Sequence, residues 1–228
     1  MRISAVVPAA GRGKRLREKS DKAFVLLDKK PILFYTLKNL ERIKDIEEII
    51  LVVSRRSLQY TKEIFLKKFN FKKRIKVVKG GPTRSDSVWN GLREIDKTKD
   101  LVLIHDGARP FIDEDLLKMV INEGRKFEAV VPGIPLNFTV KEIKNHLVVR
   151  TLPRQDLWEI QTPQFFKKDL LISCYKKARK ERFIATDDAQ VVERYGHKVR
   201  VIKGSPLNIK ITTPEDLVLA KAILRATI

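Results

Sequence analysis

The strongest constraint in this sequence is an alternation. Short, nearly unbroken apolar runs at residues 3–7, 49–53, 75–78, 101–104 and 128–131 are separated by stretches in which apolar residues recur at helical spacing, as in Ile32, Leu33, Leu37 and Leu40. A strand with a solvated face alternates apolar and polar residues, whereas a strand buried on both faces is apolar throughout. Buried strands interleaved with amphipathic helices predict an α/β, Rossmann-like fold: a mostly parallel twisted sheet with helices on both faces. The 228 residues are read as one domain, with an inserted β-hairpin arm at about 135–155. No run reaches the ~18 to 20 apolar residues that a membrane span needs, and the first residues lead straight into a strand, so a cytoplasmic protein without a membrane partner is expected.

In an open α/β sheet, ligands sit beyond the carboxyl ends of the strands, so the loops that follow the apolar runs are where chemistry is sought. The first loop reads PAAGRGKRLREKSDK. Ala9, Ala10, Gly11 and Gly13 let the backbone come close to a ligand, successive N–H groups in such a turn form an anion-binding concavity, and Lys14, Arg15 and Lys22 add full charges. That outlines a triphosphate site; read alone, it also fits a basic solvated turn. Leu16 stands where a dinucleotide fingerprint needs its third glycine, and no P-loop spacing occurs.

A second glycine turn, Gly80-Gly81, follows the third strand, and Thr83 to Asp86 has capping-box spacing for a helix bearing Val88, Leu92 and Ile95. The fourth strand ends in HDGARP. There Asp106 is placed to hold a metal ion or a sugar hydroxyl, or else to bond its own turn. Residues 137–142 and 146–151 form a hairpin around a polar turn. Its apolar side calls for a partner chain, which predicts a homodimer. Thr186 is read as the cap of the helix carrying Ala189, Val191 and Val192. In NIKITTPEDL, an extended segment turns Ile209 and Ile211 to one side and Asn208 and Lys210 to the other; Lys210 is either a site residue or a lysine snorkelling to solvent.

Net charge is +20, with acids interleaved among the bases. The excess favours polyanionic partners without choosing among them. Interleaved-aromatic RNA motifs, zinc spacing and a basic arm are all missing from the sequence, so a nucleic-acid partner is not expected. Cys174 falls in a helical pattern as a small core residue, and the three histidines form no base-and-orienter pattern.

Taken together, PAAGRGKRL, Lys22, GGPTRSDSV, HDGARP, FTVK, TPQ, Thr186-Asp187 and NIKITTPEDL resemble the 2-C-methyl-D-erythritol 4-phosphate cytidylyltransferase family, over nearly the whole chain. The resemblance implies transfer of CMP from CTP to methylerythritol phosphate, with Mg²⁺, in the non-mevalonate route to isoprenoids. Carried onto this sequence, it implies that Ala9, Ala10, Gly11 and Gly13 hold the CTP phosphates, with Arg15 and Lys22 stabilising charge at the reacting phosphorus. Gly80, Gly81, Arg84 and Ser87 belong to the turn that reads cytosine. Asp106 and Gly107 face ribose and metal. Arg109, Thr139, Arg154, Thr162, Thr186 and Lys210 form the polyol phosphate pocket, Arg154 and Lys210 meeting its phosphate. Two departures are visible: Phe138 precedes the arm threonine where Asp is frequent, and Pro82-Thr83 stand where acidic residues are frequent. A ribitol 5-phosphate cytidylyltransferase of the same fold is the neighbouring alternative. A non-catalytic nucleic-acid-binding protein is the alternative of another class.

Overall fold

A computed structural model describes residues 2–16 and 20–226 of the chain, apart from the side chain of Lys14, so Arg17 and the Lys14 side chain lie outside the described residues. The strands are β1 (Ile3–Pro8), β2 (Leu26–Leu27), β3 (Lys30–Pro31), β4 (Ile46–Val53), β5 (Arg74–Lys79), β6 (Leu101–Ile104), β7 (Ala129–Pro135), β8 (Val140–Lys144), β9 (Leu147–Leu152), β10 (Trp158–Ile160), β11 (Gln164–Lys167) and β12 (Arg200–Lys203). The helices are α1 (Ile32–Arg42), α2 (Leu58–Tyr60) and α3 (Leu66–Phe69) joined by a π-turn over Thr61–Phe65, α4 (Arg84–Leu92), α5 (Glu114–Gly124), α6 (Lys168–Lys180), α7 (Asp188–Glu193) and α8 (Pro214–Ala226).

β5, β4, β1 and β6 lie side by side and parallel. β11 then pairs antiparallel with both β6 and β7, and β12 runs parallel to β7. β10 also pairs antiparallel with β7, Ile160 opposite Gly133, while Phe165 of β11 faces Val130. β10 and β11 are thus two parts of one run against β7, broken at Gln161-Thr162-Pro163, where the Thr162–Pro163 peptide is cis. Because Gly133 pairs with Lys203 as well as Ile160, β12 occupies the other edge of β7. The sheet is parallel apart from this one reversed run.

The strand residues partition with period two. Ala5, Val7, Leu51, Val53, Leu103 and Phe165 pack with α1 and α5; Val6, Ile50, Val52, Ile104 and Phe166 pack with α4, α6 and α7. Burial on both faces is what the continuous apolar runs encode. Cys174 is fully buried on the second face, as expected of a core thiol. A third, smaller cluster of Leu16, Val25, Leu27, Ile32, Ile211, Ala220 and Leu224 ties the first glycine loop to α8.

Two expectations for local structure change. The cap of α7 is Asp187, whose carboxylate accepts from the Gln190 N–H at 2.9 Å, while the Thr186 N–H is itself taken by the Gln190 side chain. A carboxylate at a helix start outcompetes a neighbouring hydroxyl. Residues 208–212 form no strand; they cross the ends of β6 as loop, anchored where the Ile211 N–H donates to the Ala108 carbonyl at 2.9 Å. Asn208 is fully buried rather than facing outward with Lys210.

β8 and β9 pair only with each other among the described strands. Their turn residues Asn145 and His146 have φ of 50° and 62°, the left-handed pair that a two-residue hairpin loop needs. The base of this arm is closed, because Leu136 N–H donates to the Leu157 carbonyl at 3.0 Å beside the Pro135–Trp158 pair.

Candidate active site

Strand order reverses between β1, whose neighbours β4 and β5 follow in one direction, and β6, which continues in the other. Loops leaving two such strands diverge to opposite faces and open a crevice at their carboxyl ends. Two cavities occupy it. The first, about 710 Å³, is lined by Ala9, Ala10, Gly11, Lys22, Gly80, Gly81, Arg84, Ser87, Asp106 and Lys210, together with Ser54 and Arg55. The second, about 420 Å³, is lined by Arg84, Asp106, Arg109, Gln161, Thr162, Gln164, Thr186, Asp187 and Lys210. Arg84, Asp106 and Lys210 belong to both and form the shared wall.

The first glycine loop is held by Lys22 N–H donating to the Gly11 carbonyl at 3.1 Å and Leu16 N–H to that of Gly13 at 2.8 Å. Gly13 has φ of 63°, and a Cβ there would press on Lys22, so its freedom serves the turn rather than a ligand. Beside Gly11 a Cβ would meet nothing within 4 Å, which leaves that backbone open towards the cavity. The second loop packs on the first: a Cβ on Gly80 would lie 2.5 Å from Ala10 Cβ and 3.0 Å from Ser87 Oγ. The capping box read from the sequence is formed, Asp86 N–H donating to Thr83 Oγ1 at 3.0 Å and Thr83 N–H to Asp86 at 3.3 Å. Ser87 donates to the Thr83 carbonyl at 3.0 Å and accepts from Gly81 N–H at 3.1 Å. Its hydroxyl therefore fixes the turn.

Asp106 is 5% exposed. Its Oδ1 accepts from Arg84 Nε at 3.0 Å and its Oδ2 pairs with Lys210 Nζ at 2.6 Å. Burial alone would raise its pKa, but Arg84, Lys210 and Arg109 together hold the carboxyl far below the usual range. Lys22 is pushed the other way for an amine: burial, then repulsion from Lys210, Arg15 and Arg109, lower it from 10.5 to about 8 against the pull of Asp106. Arg15 is exposed at the rim, outside the lining, yet close enough to act on Lys22.

The chain below Asp106 is a single hydrogen-bonded thread. Asp106 N–H donates to Thr162 Oγ1 at 3.1 Å; Thr162 Oγ1 lies 3.0 Å from His105 Nδ1, and His105 Nε2 lies 3.1 Å from the Arg109 carbonyl. A carbonyl only accepts, so Nε2 carries the proton and Nδ1 accepts from the threonine. His105 is fully buried and, chiefly by that burial, lowered to about 4, which makes it a neutral strut and not a base. Gly107 lies behind the lining, its carbonyl accepting from Thr36 Oγ1 at 3.2 Å. Arg109 is buried, with Nη1 donating to the Asn208 carbonyl at 2.6 Å. Its Nε and the Asn208 Oδ1 have no protein partner.

Thr139 and Arg154 are not brought to either cavity. Both are exposed on the arm, where Arg154 Nη1 donates to the Asn137 carbonyl. Several residues here escape sequence reading. Asp21, buried before Lys22, accepts from Ser54 and Ser57 hydroxyls and from Arg56 Nε at 2.7 Å. Gln161, Gln164, Asp187 and the buried Asp188 complete the second cavity and its support. A carboxylate beside a capping residue was the only available signal for Asp188.

Among the described residues no three His, Cys, Asp or Glu side chains converge as a metal site. Mg²⁺ is typically held by one or two carboxylates plus substrate phosphates, and Asp106 is a carboxylate that lines both cavities, so a single-carboxylate site fits that mode of binding. No helix among the described residues is long and apolar enough to cross a membrane.

Comparison with known proteins agrees with this geometry. A protein from Caldanaerobacter subterraneus subsp. tengcongensis named 2-C-methyl-D-erythritol 4-phosphate cytidylyltransferase is 42% identical over 226 residues, covering 99% of this chain and 100% of the relative. A like-named protein from Alkaliphilus metalliredigens is 42% identical over 224 residues, covering 98% of this chain and 93% of that one. The crystal structure of 4-diphosphocytidyl-2C-methyl-D-erythritol synthase from Anaerococcus prevotii superposes with a TM-score of 0.86 at 38% identity, covering 98% of each chain. That of the cytidylyltransferase from Thermus thermophilus gives 0.83 at 31%, covering 99% of this chain and 100% of the other. The family model described as IspD, 2-C-methyl-D-erythritol 4-phosphate cytidylyltransferase, matches residues 3–226, and the chain belongs to that family.

Proposed function

We propose that the two cavities divide the reaction between them, CTP lying in the larger and methylerythritol phosphate in the smaller, with CMP transfer across the wall they share. As a member of the family, the chain is a cytidylyltransferase that converts CTP and 2-C-methyl-D-erythritol 4-phosphate to CDP-methylerythritol and pyrophosphate; ribitol phosphate is not the substrate its relatives' names carry. The observation that supports the division is the position of Arg84, Asp106 and Lys210 in both linings.

A phosphate monoester has a second pKa of about 6, so the nucleophile is largely a dianion at neutral pH and needs no general base. The neutral, buried His105 agrees with that economy. The difficulty is electrostatic, since nucleophile, triphosphate and in-line transition state are all negative, and fixed cations in a partly dry site act most strongly on such charge. Lys22 and Arg15 meet the α- and β-phosphates beside the Gly11 backbone; Lys210 meets the incoming phosphate; Thr162, Thr186 and Arg109 face the polyol. Arg109, buried and held by the Asn208 carbonyl, presents its fixed charge to the smaller cavity. Asp106 would hold Mg²⁺ together with the triphosphate, where the ion neutralises developing charge.

The arm argues for a homodimer. An isolated two-stranded hairpin is marginal in water, and here Phe138, Leu147, Val148 and Val149 are exposed, Phe138 to 83% and Leu147 to 72%. A second copy seated against this arm would cover them, and would let Thr139 and Arg154 serve a pocket that their own chain does not bring them to. The cytoplasm, where CTP is available, is the compartment this reading requires.

The test is pyrophosphate release over the four nucleoside triphosphates and several polyol phosphates. Turnover confined to CTP with methylerythritol phosphate is expected, falling about 10²- to 10³-fold in kcat for Lys22→Ala and Arg15→Ala. Near-normal turnover in both variants would remove their assignment.

A further inference from the structure

Arg84 is the one wall residue whose charge is divided between two carboxylates. Its Nε donates to Asp106 Oδ1 at 3.0 Å and its Nη2 donates to Asp188 Oδ2 at 2.8 Å. Asp188 is fully buried, and every group around it holds it in place. Tyr175 OH donates to Oδ1 at 2.6 Å, and Asp188 N–H and Ala189 N–H donate to Gln164 Oε1 at 3.1 and 3.0 Å. Gln164 Nε2 in turn donates to Asp187 at 2.8 Å. A fully buried carboxylate costs desolvation energy even when paired, so its presence asks what it holds in position.

We infer that Asp188, fixed by Tyr175 and Gln164, is a positioning residue that acts through Arg84: it carries half of the guanidinium's charge so that Asp106 stays free enough to exchange partners at the shared wall. Without Asp188, Arg84, half-buried at the shared wall, would keep Asp106 as its remaining carboxylate. Asp106 would be drawn fully onto it, away from Lys210 and from whatever ligand approaches between the cavities. The helix that carries Arg84 is fixed independently by the Thr83–Asp86 capping box, so the CTP-binding loop should keep its shape. The effect should therefore fall on the polyol phosphate step and on Mg²⁺ at Asp106, and spare the binding of metal-free CTP. This inference rests on the division of the cavities proposed above.

A double-mutant cycle separates a relay from a merely structural aspartate. Asp188→Asn keeps shape and most hydrogen bonds but removes the charge; Arg84→Gln removes its partner. Expected for Asp188→Asn is a loss of about 10- to 100-fold in kcat/KM for methylerythritol phosphate, with calorimetric affinity for CTP in the absence of Mg²⁺ within about threefold of wild type. In the Arg84→Gln background the same change should have no further effect. Tyr175→Phe, which deletes one hydroxyl, should lower the same parameter about fivefold, and it decides the matter should Asp188→Asn fail to fold. Full additivity of Asp188→Asn and Arg84→Gln, or unchanged kcat/KM in a folded Tyr175→Phe, would overturn the inference. If Lys210→Ala and Arg84→Gln are themselves silent, the division of the cavities fails instead.

Discussion

Lys22 lies under a lowered pKa of about 8, so its charge should be lost from the free enzyme within an accessible range of pH. The shift from 10.5 corresponds to about 3 kcal/mol of preference for the neutral amine, imposed by burial and by Lys210, Arg15 and Arg109. For a base with a depressed pKa, the protonated form is present below about 8 and disappears above it. A triphosphate reverses the balance by adding negative charge next to the amine, so binding CTP above that pH must also take up a proton. Hence kcat/KM for CTP should be flat below about 8, drop roughly fivefold between pH 8 and 9, and approach tenfold per further unit. The kcat, which reports the complex, should break at higher pH. Phosphate ionisations, near 6, are about nine-tenths complete at pH 7 and so add no break near 8. The assay is pyrophosphate release at constant ionic strength from pH 6.5 to 9.5, with calorimetry in buffers of differing ionisation enthalpy to count the proton taken up. Lys22→Arg provides the control: slower through altered geometry, but without the break, since a guanidinium stays charged. A wild-type profile flat to pH 9.5, or the same break in Lys22→Arg, would refute the reasoning.

Further outcomes are expected. Lys210→Ala should raise KM for the polyol phosphate about 10- to 100-fold, the range for a charged hydrogen bond, with a smaller change for CTP; steady-state titration of each substrate checks this. Gly80→Ala should push the two glycine loops apart, because the added carbon meets Ala10 at 2.5 Å; it should cost about 1 to 3 kcal/mol of stability, read as a lowered thermal midpoint, and weaken CTP binding in calorimetry. Replacing Leu147 and Val149 by Glu should convert a dimer to a monomer in sedimentation and lower turnover with it; an unchanged mass would remove the dimer through the arm.

Much of this architecture could be read before any coordinates. Runs such as residues 49–53 declare a doubly buried strand, and Thr83 with Asp86, or Asp113 before its helix, declare a cap, because each needs only local chemistry. The glycine loops and HDGARP were legible because strand ends are where an open sheet collects ligands. What escaped depends on distant partners. The reversed run through β10 and β11 is interrupted by Gln161, Thr162 and Pro163, polar or ring-closed residues that read as loop until β6 and β7 are seen on either side. Asp188 reads as an ordinary acid at a helix start; only the arrival of Arg84, 104 residues away in sequence, accounts for its burial. Gly80, Gly81 and Ser87 were legible as a special turn, yet much of their specialisation is packing of one loop upon another.

The closed base of the arm has one more consequence. Because Pro135 and Trp158 are paired and Leu136 is tied to Leu157, the chain leaves the sheet and returns to it at adjacent points. The tip of this excursion, around Asn145 and His146, can change in length and sequence without altering where the chain leaves and rejoins the sheet. Selection can thus reshape the tip of this hairpin while the strands that carry the crevice keep their register.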